Sequence, residues 1–207
     1  MYSLYTIPGT CSTGIAVLLE KLGVAYELIK RDDVENYTDI VPTNQVPALK
    51  TETGQIIAEG AAIAQFLLEK HGADLLPKTA EEKATFLQWL NFDYATLHPA
   101  YSKLFTILFK VELADDVKQS ILEQLASQLS DLWAILDRQL EGKKYILGDM
   151  VSHADYMATI YTSWVHYFPM VDIKLGENIK RLAADVSSLP EFKAAYAKEE
   201  TEFKAAA

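Results

Sequence analysis

The chain has 207 residues, 50% of them hydrophobic, and a formal net charge of −10 at pH 7. This length allows one large domain or two small ones with a sizeable core. The acidic balance argues against nucleic acid as a partner, because nucleic-acid binding depends on basic patches.

Four further classes of site or segment are not expected. No run of about eighteen apolar residues is present, which predicts neither a membrane span nor a membrane partner. A single cysteine excludes an internal disulfide framework and is typical of a reducing compartment. The first residues lack the pattern of a secretion signal, so we expect a cytoplasmic protein. The four histidines are scattered without ligand spacing, which predicts no metal site.

The first seventy residues predict a strand–helix–strand unit followed by a hairpin and a helix. The predicted strands cover residues 2–7, 24–30, 48–51 and 55–58, and the predicted helices cover 12–23 and 61–71. Gly23 is a plausible C-cap of the first helix. The polar segment 31–41 stays open between a short helix and a loop. Parallel pairing of the first two strands is expected from this order, which is typical of a thioredoxin-like domain.

The rest of the chain predicts helices only. Apolar residues recur at helical spacing, and the predicted helices cover residues 80–110, 117–140, 152–167, 175–186 and 190–203. Pro99 should kink or split the first of these, because its ring clashes with the carbonyl four residues back. The predicted fold class is therefore an α/β thioredoxin-like N-terminal domain, residues 1–71, and an all-α C-terminal domain, residues 81–207. A linker at 72–80 joins them.

Cys11 lies where a strand and turn pass into a helix. The helix start offers backbone N–H groups and the positive end of a dipole. Such surroundings lower the pKa of a thiol, and a lowering of about two units would make it mostly thiolate at neutral pH. The same N–H groups would also hold the thiolate of another small molecule. The alternative is that Cys11 is a small buried hydrophobic residue.

Three other local patterns carry chemistry or structure. For Val46-Pro47 the residues alone favour a trans peptide bond. Glu59 precedes the helix that begins near Gly60, where a carboxylate is normally a dipole partner but could also receive the ammonium group of an amino acid. Ser152 and Asp155 have the spacing of a capping box at the start of a helix.

Together these segments resemble a glutathione transferase. The resemblance rests on PGTCS at 8–12, NQVPAL at 44–49, AEGAAI at 58–63 and SHAD at 152–155. The cysteine after PGT, with Trp89-Leu90-Asn91 and His98, is similar to the bacterial beta class. The resemblance implies conjugation of glutathione with small electrophiles, with glutathione as co-substrate and no other cofactor. It also implies a homodimer.

The resemblance also assigns roles to individual residues. Cys11 and His98 match catalytic positions, with Cys11 near the glutathione sulfur. The matching glutathione-binding positions are Gln45 and Val46 for the cysteinyl moiety, Pro47 as a cis proline, Glu59 and Gly60 for the γ-glutamyl group, and Asn91 as the neighbour of His98. Asp155 matches a residue important for folding.

The acceptor pocket is predicted from spacing rather than from the resemblance. Tyr94, Tyr101 and Phe105 share a helical face with His98, and Trp164 is a candidate neighbour. These aromatic residues predict either an acceptor-substrate pocket or ordinary core.

The segment 31–41 departs from the beta-class pattern, because it lacks the lysine expected for the glycyl carboxylate. Either Lys30, Arg31 or Lys50 replaces it, or glutathione is bound with weak affinity. Two functions stay open. One is a glutathione transferase with a second, thiol–disulfide exchange chemistry at Cys11. The other is a non-catalytic scaffold of the same fold that binds protein partners.

Overall fold

The computed structural model describes residues 1–205, which divide into two compact units. The first unit comprises Met1–Ala84 and Val186–Phe203. The second comprises Thr85–Asp185 with residues 204 and 205. The strands are β1 (Tyr2–Thr6), β2 (Tyr26–Lys30), β3 (Ala48–Lys50) and β4 (Ile56–Ala58). The helices up to the middle of the chain are α1 (Cys11–Leu22), α2 (Tyr37–Ile40), α3 (Gly60–His71), α4 (Ala80–Asn91) and α5 (His98–Lys110). They continue with α6 (Asp115–Gln139), α7 (His153–Ser163), α8 (Glu177–Ser187) and α9 (Pro190–Lys198).

The sheet of the first unit has the strand order β2-β1-β3-β4. β1 and β2 are parallel, and β3 is antiparallel to both β1 and β4. Ala48 lies opposite Tyr5 on one side and opposite Ala58 on the other, and Thr6 lies opposite Lys30. The C-terminal ends of β1, β2 and β4 therefore meet the start of β3 at one end of the sheet, which we call the Pro47 end.

Helix α1 has a cap at each end, and the sequence predicts the one at its C-terminus. Thr10 caps its start, and Gly23 ends it in the left-handed conformation at φ 64°. A glycine adopts that conformation without the steric cost that a Cβ atom would bring. Residues Cys11–Leu19 are buried, and α1 packs against both α3 and α9. The last helix of the chain therefore belongs to the first unit, and the predicted division at residues 72–80 stays a prediction.

The predicted long helix at 80–110 is interrupted, as Pro99 indicated. A π-helical segment, Phe92–Leu97, separates α4 from α5, and Pro99 lies in the first turn of α5. The N–H of His98 donates to the carbonyl of Asp93, five residues back. Because Pro99 has no N–H and crowds the preceding turn, regular α-helical bonding cannot pass through this position.

The second unit is built around buried aromatic side chains from α5, α6, α7 and the segment just after α7. Tyr101, Trp133, Tyr161 and Phe168 are buried, and the Trp133 Nε1–H donates to the Tyr101 hydroxyl at 3.1 Å. The capping box at the start of α7 is confirmed, with both of its reciprocal hydrogen bonds present. No helix within residues 1–205 is long and apolar enough to cross a membrane.

This architecture confirms the predicted fold class: a four-stranded mixed sheet with flanking helices, then a helical region. Two helix ends differ from the prediction. The helix expected to reach residue 167 changes to a 3₁₀ turn at Trp164, and the helix expected to reach residue 203 ends at Lys198. Glu199, directly after Lys198, forms hydrogen bonds with Thr6 and Thr13, which the helical pattern does not reveal.

Candidate active site

The sheet register gathers five of the predicted site residues at the Pro47 end. Cys11 follows β1 through a short turn, and Val46 and Pro47 directly precede β3. Glu59 and Gly60 directly follow β4. Since β3 runs antiparallel to both β1 and β4, these three segments lie at the same end of the sheet. The N-termini of α1 and α3 meet there, so two helix starts present backbone N–H groups to one region.

Cys11 is the first residue of α1 and is buried, with 6% of its surface exposed. It is not part of a disulfide. The Thr10 hydroxyl donates to the Ile7 carbonyl at 2.7 Å and accepts from the Ser12 N–H at 3.4 Å. These bonds hold the turn before Cys11 and cap the helix. The predicted position of Cys11 at a helix start is therefore confirmed, whereas its chemical role stays a prediction.

A buried carboxylate supports this turn from the far end of the chain. Glu199 is 3% exposed and accepts hydrogen bonds from the hydroxyls of Thr6 and Thr13, each at 2.6 Å, and from the Gly9 N–H at 3.3 Å. Burial raises the pKa of Glu199, and the hydrogen bonds act in the opposite direction. The residue ties both ends of the Cys11 segment to the end of α9.

Val46-Pro47 has a cis peptide bond. The trans bond favoured by the residues alone is therefore wrong, and the cis proline implied by the resemblance is confirmed. The preceding residues are also tied down, because the Tyr37 hydroxyl donates to the Gln45 carbonyl at 2.9 Å. Burial raises the pKa of Tyr37 to about 12, so this hydroxyl keeps its proton at neutral pH. The Gln45 side chain is exposed and Val46 is half-buried.

Glu59 has an unusual backbone conformation, with φ 68° and ψ 113°. A residue with a Cβ atom adopts such angles only when its surroundings impose them, and such positions cluster at functional sites. Its side chain is exposed, and its carbonyl accepts from the Ile63 N–H at 3.0 Å in the first turn of α3. The chain therefore presents a carboxylate beside the N-terminus of α3 at a conformational cost.

Of the three basic candidates for a glycyl carboxylate, Arg31 contacts the segment that precedes Pro47. It directly follows β2, whose last residue Lys30 lies opposite Thr6, so it is at the Pro47 end. Its guanidinium donates to the Asn44 carbonyl at 3.4 Å and pairs with Asp32 at 2.7 Å. Lys50 lies opposite Ser3, toward the other end of the sheet.

The remaining predicted glutathione-site residues belong to the helical unit. His98 is half-buried and its ring contacts those of Tyr161 and Trp164, with centroids 6.0 and 5.7 Å apart. Burial lowers the pKa of His98, which favours the neutral imidazole at neutral pH. Asn91 is exposed, and its amide donates to the Leu87 carbonyl at 2.7 Å within the same helix.

The four predicted acceptor residues have different surroundings. Tyr101 has no exposed surface and its hydroxyl accepts from Trp133, as in an ordinary core residue. Tyr94 is tied to His153 by a 2.9 Å hydrogen bond. Phe105 is half-buried and contacts Trp164, with ring centroids 5.7 Å apart. Phe105 also packs against two large exposed side chains that the helical spacing did not single out, Phe109 and Tyr167.

Sequence reasoning missed two buried carboxylates. Glu199 lies 186 residues after Thr13, one of its hydrogen-bond donors, and no local pattern relates them. Asp93 is 1% exposed, and neither carboxylate oxygen has a hydrogen-bond partner within residues 1–205. Burial, and then the charge of Asp155, raise the pKa of Asp93 well above its usual value. The only signal for Asp93 was an acidic residue within an apolar helical pattern.

The chain is similar to known glutathione transferases over most of its length. A family model described as "Glutathione S-transferase, N-terminal domain" matches residues 9–70. Glutathione S-transferase F9 of Arabidopsis thaliana is 28% identical over 197 residues, which cover 89% of this chain and 90% of the relative. The solved ternary complex of BphK, a bacterial GST, is 26% identical with a TM-score of 0.81, covering 96% of this chain and 99% of that one.

A bacterial beta class glutathione S-transferase from Sphingomonas chungbukensis shares the fold, with a TM-score of 0.80 at 22% identity. The shared regions cover 95% of this chain and 98% of that one. The family model covers Cys11, Val46-Pro47 and Glu59-Gly60, and the two relatives above 25% identity extend the similarity through the helical region. The match of residues 9–70 to this N-terminal domain and the similarity of these relatives together support the glutathione transferase superfamily.

Proposed function

We propose that the protein is a glutathione transferase that conjugates the glutathione thiol with small electrophiles, and that it is of the bacterial beta class. One observation carries the proposal: the Pro47 end of the sheet brings together Cys11, Val46 and Glu59 with the N-termini of α1 and α3. This combination offers donors for anionic groups and a carboxylate for a cationic one. Glutathione carries both kinds of group along a short peptide.

The binding mode follows from the charges. The N-terminus of α3 receives the α-carboxylate of the γ-glutamyl group, and Glu59 receives its ammonium group. The backbone at Gln45 and Val46 pairs with the cysteinyl moiety. Arg31 is the cation for the glycyl carboxylate, which replaces the lysine that the segment 31–41 lacks.

The chemistry begins with the glutathione sulfur at the start of α1. Backbone N–H groups that are already oriented there favour the thiolate without reorganisation during the reaction. The thiolate attacks an electrophilic carbon and forms a carbon–sulfur bond, and the displaced group leaves with its electron pair. Binding both reactants contributes by proximity as well as by activation.

The helical residues keep their predicted roles in this proposal. His98 assists catalysis and Asn91 supports it. Phe105 and Trp164 contact the acceptor, and Tyr94 is a weaker candidate because its hydroxyl is bound to His153. We leave Tyr101 out of the acceptor group, since it is wholly buried.

Cys11 supplies a second chemistry with oxidised glutathione. Its thiolate attacks the disulfide, a mixed disulfide forms, and one glutathione thiolate leaves. Intact-protein mass spectrometry should show one adduct of about 305 Da that a reductant removes, because thiol–disulfide exchange is reversible. Cys11→Ala should abolish the adduct while glutathione binding persists, since the binding groups above do not include the thiol. An unmodified wild-type protein at saturating oxidised glutathione would refute this placement of Cys11.

A conjugation assay tests the main proposal. Glutathione should be titrated against a small panel of electrophiles, in parallel with retention of the protein on immobilised glutathione. Retention with conjugation supports the transferase. A protein that neither binds glutathione nor conjugates any electrophile would instead favour the non-catalytic scaffold that binds protein partners.

We also propose a homodimer in the cytoplasm, with no cofactor beyond the co-substrate glutathione. The family resemblance supports the dimer, and the single cysteine supports a reducing compartment. Light scattering at micromolar concentration should give twice the chain mass of 23.2 kDa. A mass equal to that of one chain would contradict the dimer.

A further inference from the structure

The segment before Pro47 is held in place by a tyrosine of α2. Tyr37 is the first residue of α2 and is buried, with 4% of its surface exposed. Its ring packs against that of Tyr5 in β1, with centroids 5.4 Å apart. Its hydroxyl donates to the Gln45 carbonyl at 2.9 Å. A ring packed on the sheet therefore fixes one carbonyl of the loop that leads into β3.

The Gln45 carbonyl belongs to the same peptide group as the Val46 N–H. A trans peptide group is planar, and its C=O and N–H point in opposite directions. The Gln45–Val46 bond is trans, since Val46-Pro47 is the only cis bond within residues 1–205. With the carbonyl turned toward Tyr37, the Val46 N–H is therefore turned away from it. In the described part of the chain, this N–H has no hydrogen-bond partner.

Neighbouring contacts hold the loop on both sides of this peptide group. The Arg31 guanidinium donates to the preceding carbonyl, that of Asn44, at 3.4 Å. The Val46 side chain packs against the apolar cluster that contains Tyr37 and Ala48. Among these contacts, the Tyr37 hydrogen bond is the one that a buried side chain makes to the Gln45–Val46 peptide group itself.

We propose that Tyr37 is a positioning residue for glutathione: its hydroxyl orients the Gln45–Val46 peptide group so that the Val46 N–H donates to the carbonyl of the cysteinyl moiety. This inference rests on the proposed function, which places the cysteinyl moiety beside the same backbone. Tyr37 acts through the peptide group rather than by contact with glutathione. The hydroxyl stays a donor at neutral pH, because burial raises the pKa of Tyr37 to about 12.

Replacing Tyr37 by phenylalanine removes the hydroxyl and keeps the ring that packs on Tyr5. The Gln45 carbonyl then loses its donor and is free to turn toward water, so the Val46 N–H is no longer fixed toward the ligand. Calorimetric titration with glutathione should show binding about threefold to tenfold weaker than in wild type, which is the range for one hydrogen bond.

Conjugation kinetics separate positioning from general structural support. In Tyr37→Phe the KM for glutathione should rise by the same factor as the dissociation constant. The kcat at saturating glutathione should stay within about twofold of wild type, because the N–H groups at the start of α1 are unchanged. Tyr5→Phe is the matched control. It removes a hydroxyl of the same cluster that makes no hydrogen bond within residues 1–205, and it should leave glutathione binding unchanged.

Unfolding in urea would establish that both variants remain folded. Unchanged glutathione binding by Tyr37→Phe, or an equal loss of binding in Tyr5→Phe, would overturn this inference alone. A lower kcat with an unchanged KM would also overturn it, because the hydroxyl would then support the fold without orienting the binding group. Absence of glutathione binding by the wild type would overturn the proposed function together with this inference.

Discussion

Replacing Asp155 by alanine should be a folding lesion, because this side chain joins two segments from inside the helical unit. The residue has no exposed surface. One carboxylate oxygen accepts from the Ile146 N–H at 2.7 Å. The other accepts from the N–H of Ser152 at 2.8 Å and from its hydroxyl at 2.6 Å. Asp155 therefore caps α7 and also holds the loop before it.

The magnitude follows from these two roles. Loss of a helix cap costs roughly 0.5–2 kcal/mol of unfolding free energy. The Ile146 N–H lies in a buried segment, and leaving such a donor without an acceptor costs about 1–3 kcal/mol more. The expected loss for Asp155→Ala is the sum of these effects, about 1.5–5 kcal/mol. The capping box alone, as read from the sequence, accounts for only the first part.

Equilibrium unfolding in urea, followed by circular dichroism, measures this loss. The midpoint should fall while the slope with urea concentration stays constant. Asp155→Asn keeps one acceptor oxygen and should lose less stability than Asp155→Ala. Asp149→Ala changes an exposed aspartate of the same loop and should stay within about 0.5 kcal/mol of wild type. An unchanged midpoint for Asp155→Ala with reduced conjugation would refute the structural role and make the residue catalytic.

Two other buried carboxylates give predictions. Burial raises the pKa of Asp93 in the folded protein. The stability that Asp93 contributes is therefore present below about pH 4 and is lost as the pH rises. The loss is about 1.4 kcal/mol for each pH unit between the unfolded and the folded pKa. Asp93→Asn should therefore gain stability relative to wild type between pH 4 and 8, and a constant difference in urea midpoint over this range would contradict this. Glu199→Gln leaves Thr6, Thr13 and the Gly9 N–H with one acceptor oxygen in place of two and should cost about 1–3 kcal/mol. It should also raise the KM for glutathione more than it lowers kcat, and unchanged stability and KM would show that the Cys11 turn does not depend on Glu199.

The features that the sequence predicted well are governed by interactions within a few residues. The turn before Cys11 and the end of α1 at Gly23 depend on local capping and on backbone freedom. The interruption before Pro99 follows from the missing N–H and the crowded ring of one residue. The capping box of Asp155 joins residues three apart, so its spacing could be read directly.

The order of strands and helices also followed from local patterns, and the sheet register then accounts for the gathering of Val46 and Glu59 at the Pro47 end. The identity of the acceptor residues was harder to predict. Helical spacing placed Tyr101 and Phe105 on one face, but it could not separate the fully buried tyrosine from the half-buried phenylalanine. That difference depends on how α6 and α7 cover the face.

The sequence by itself therefore determined the fold class and the helix starts, because these depend on periodicity, capping and the special backbones of proline and glycine. Only the tertiary structure decided that Glu199 supports the Cys11 turn and that the buried Asp93 carboxylate has no hydrogen-bond partner within residues 1–205. It also decided the backbone of Glu59, which is held at φ 68° between β4 and α3. The physical reason is that burial and long-range hydrogen bonds join residues whose separation along the chain carries no periodic signal.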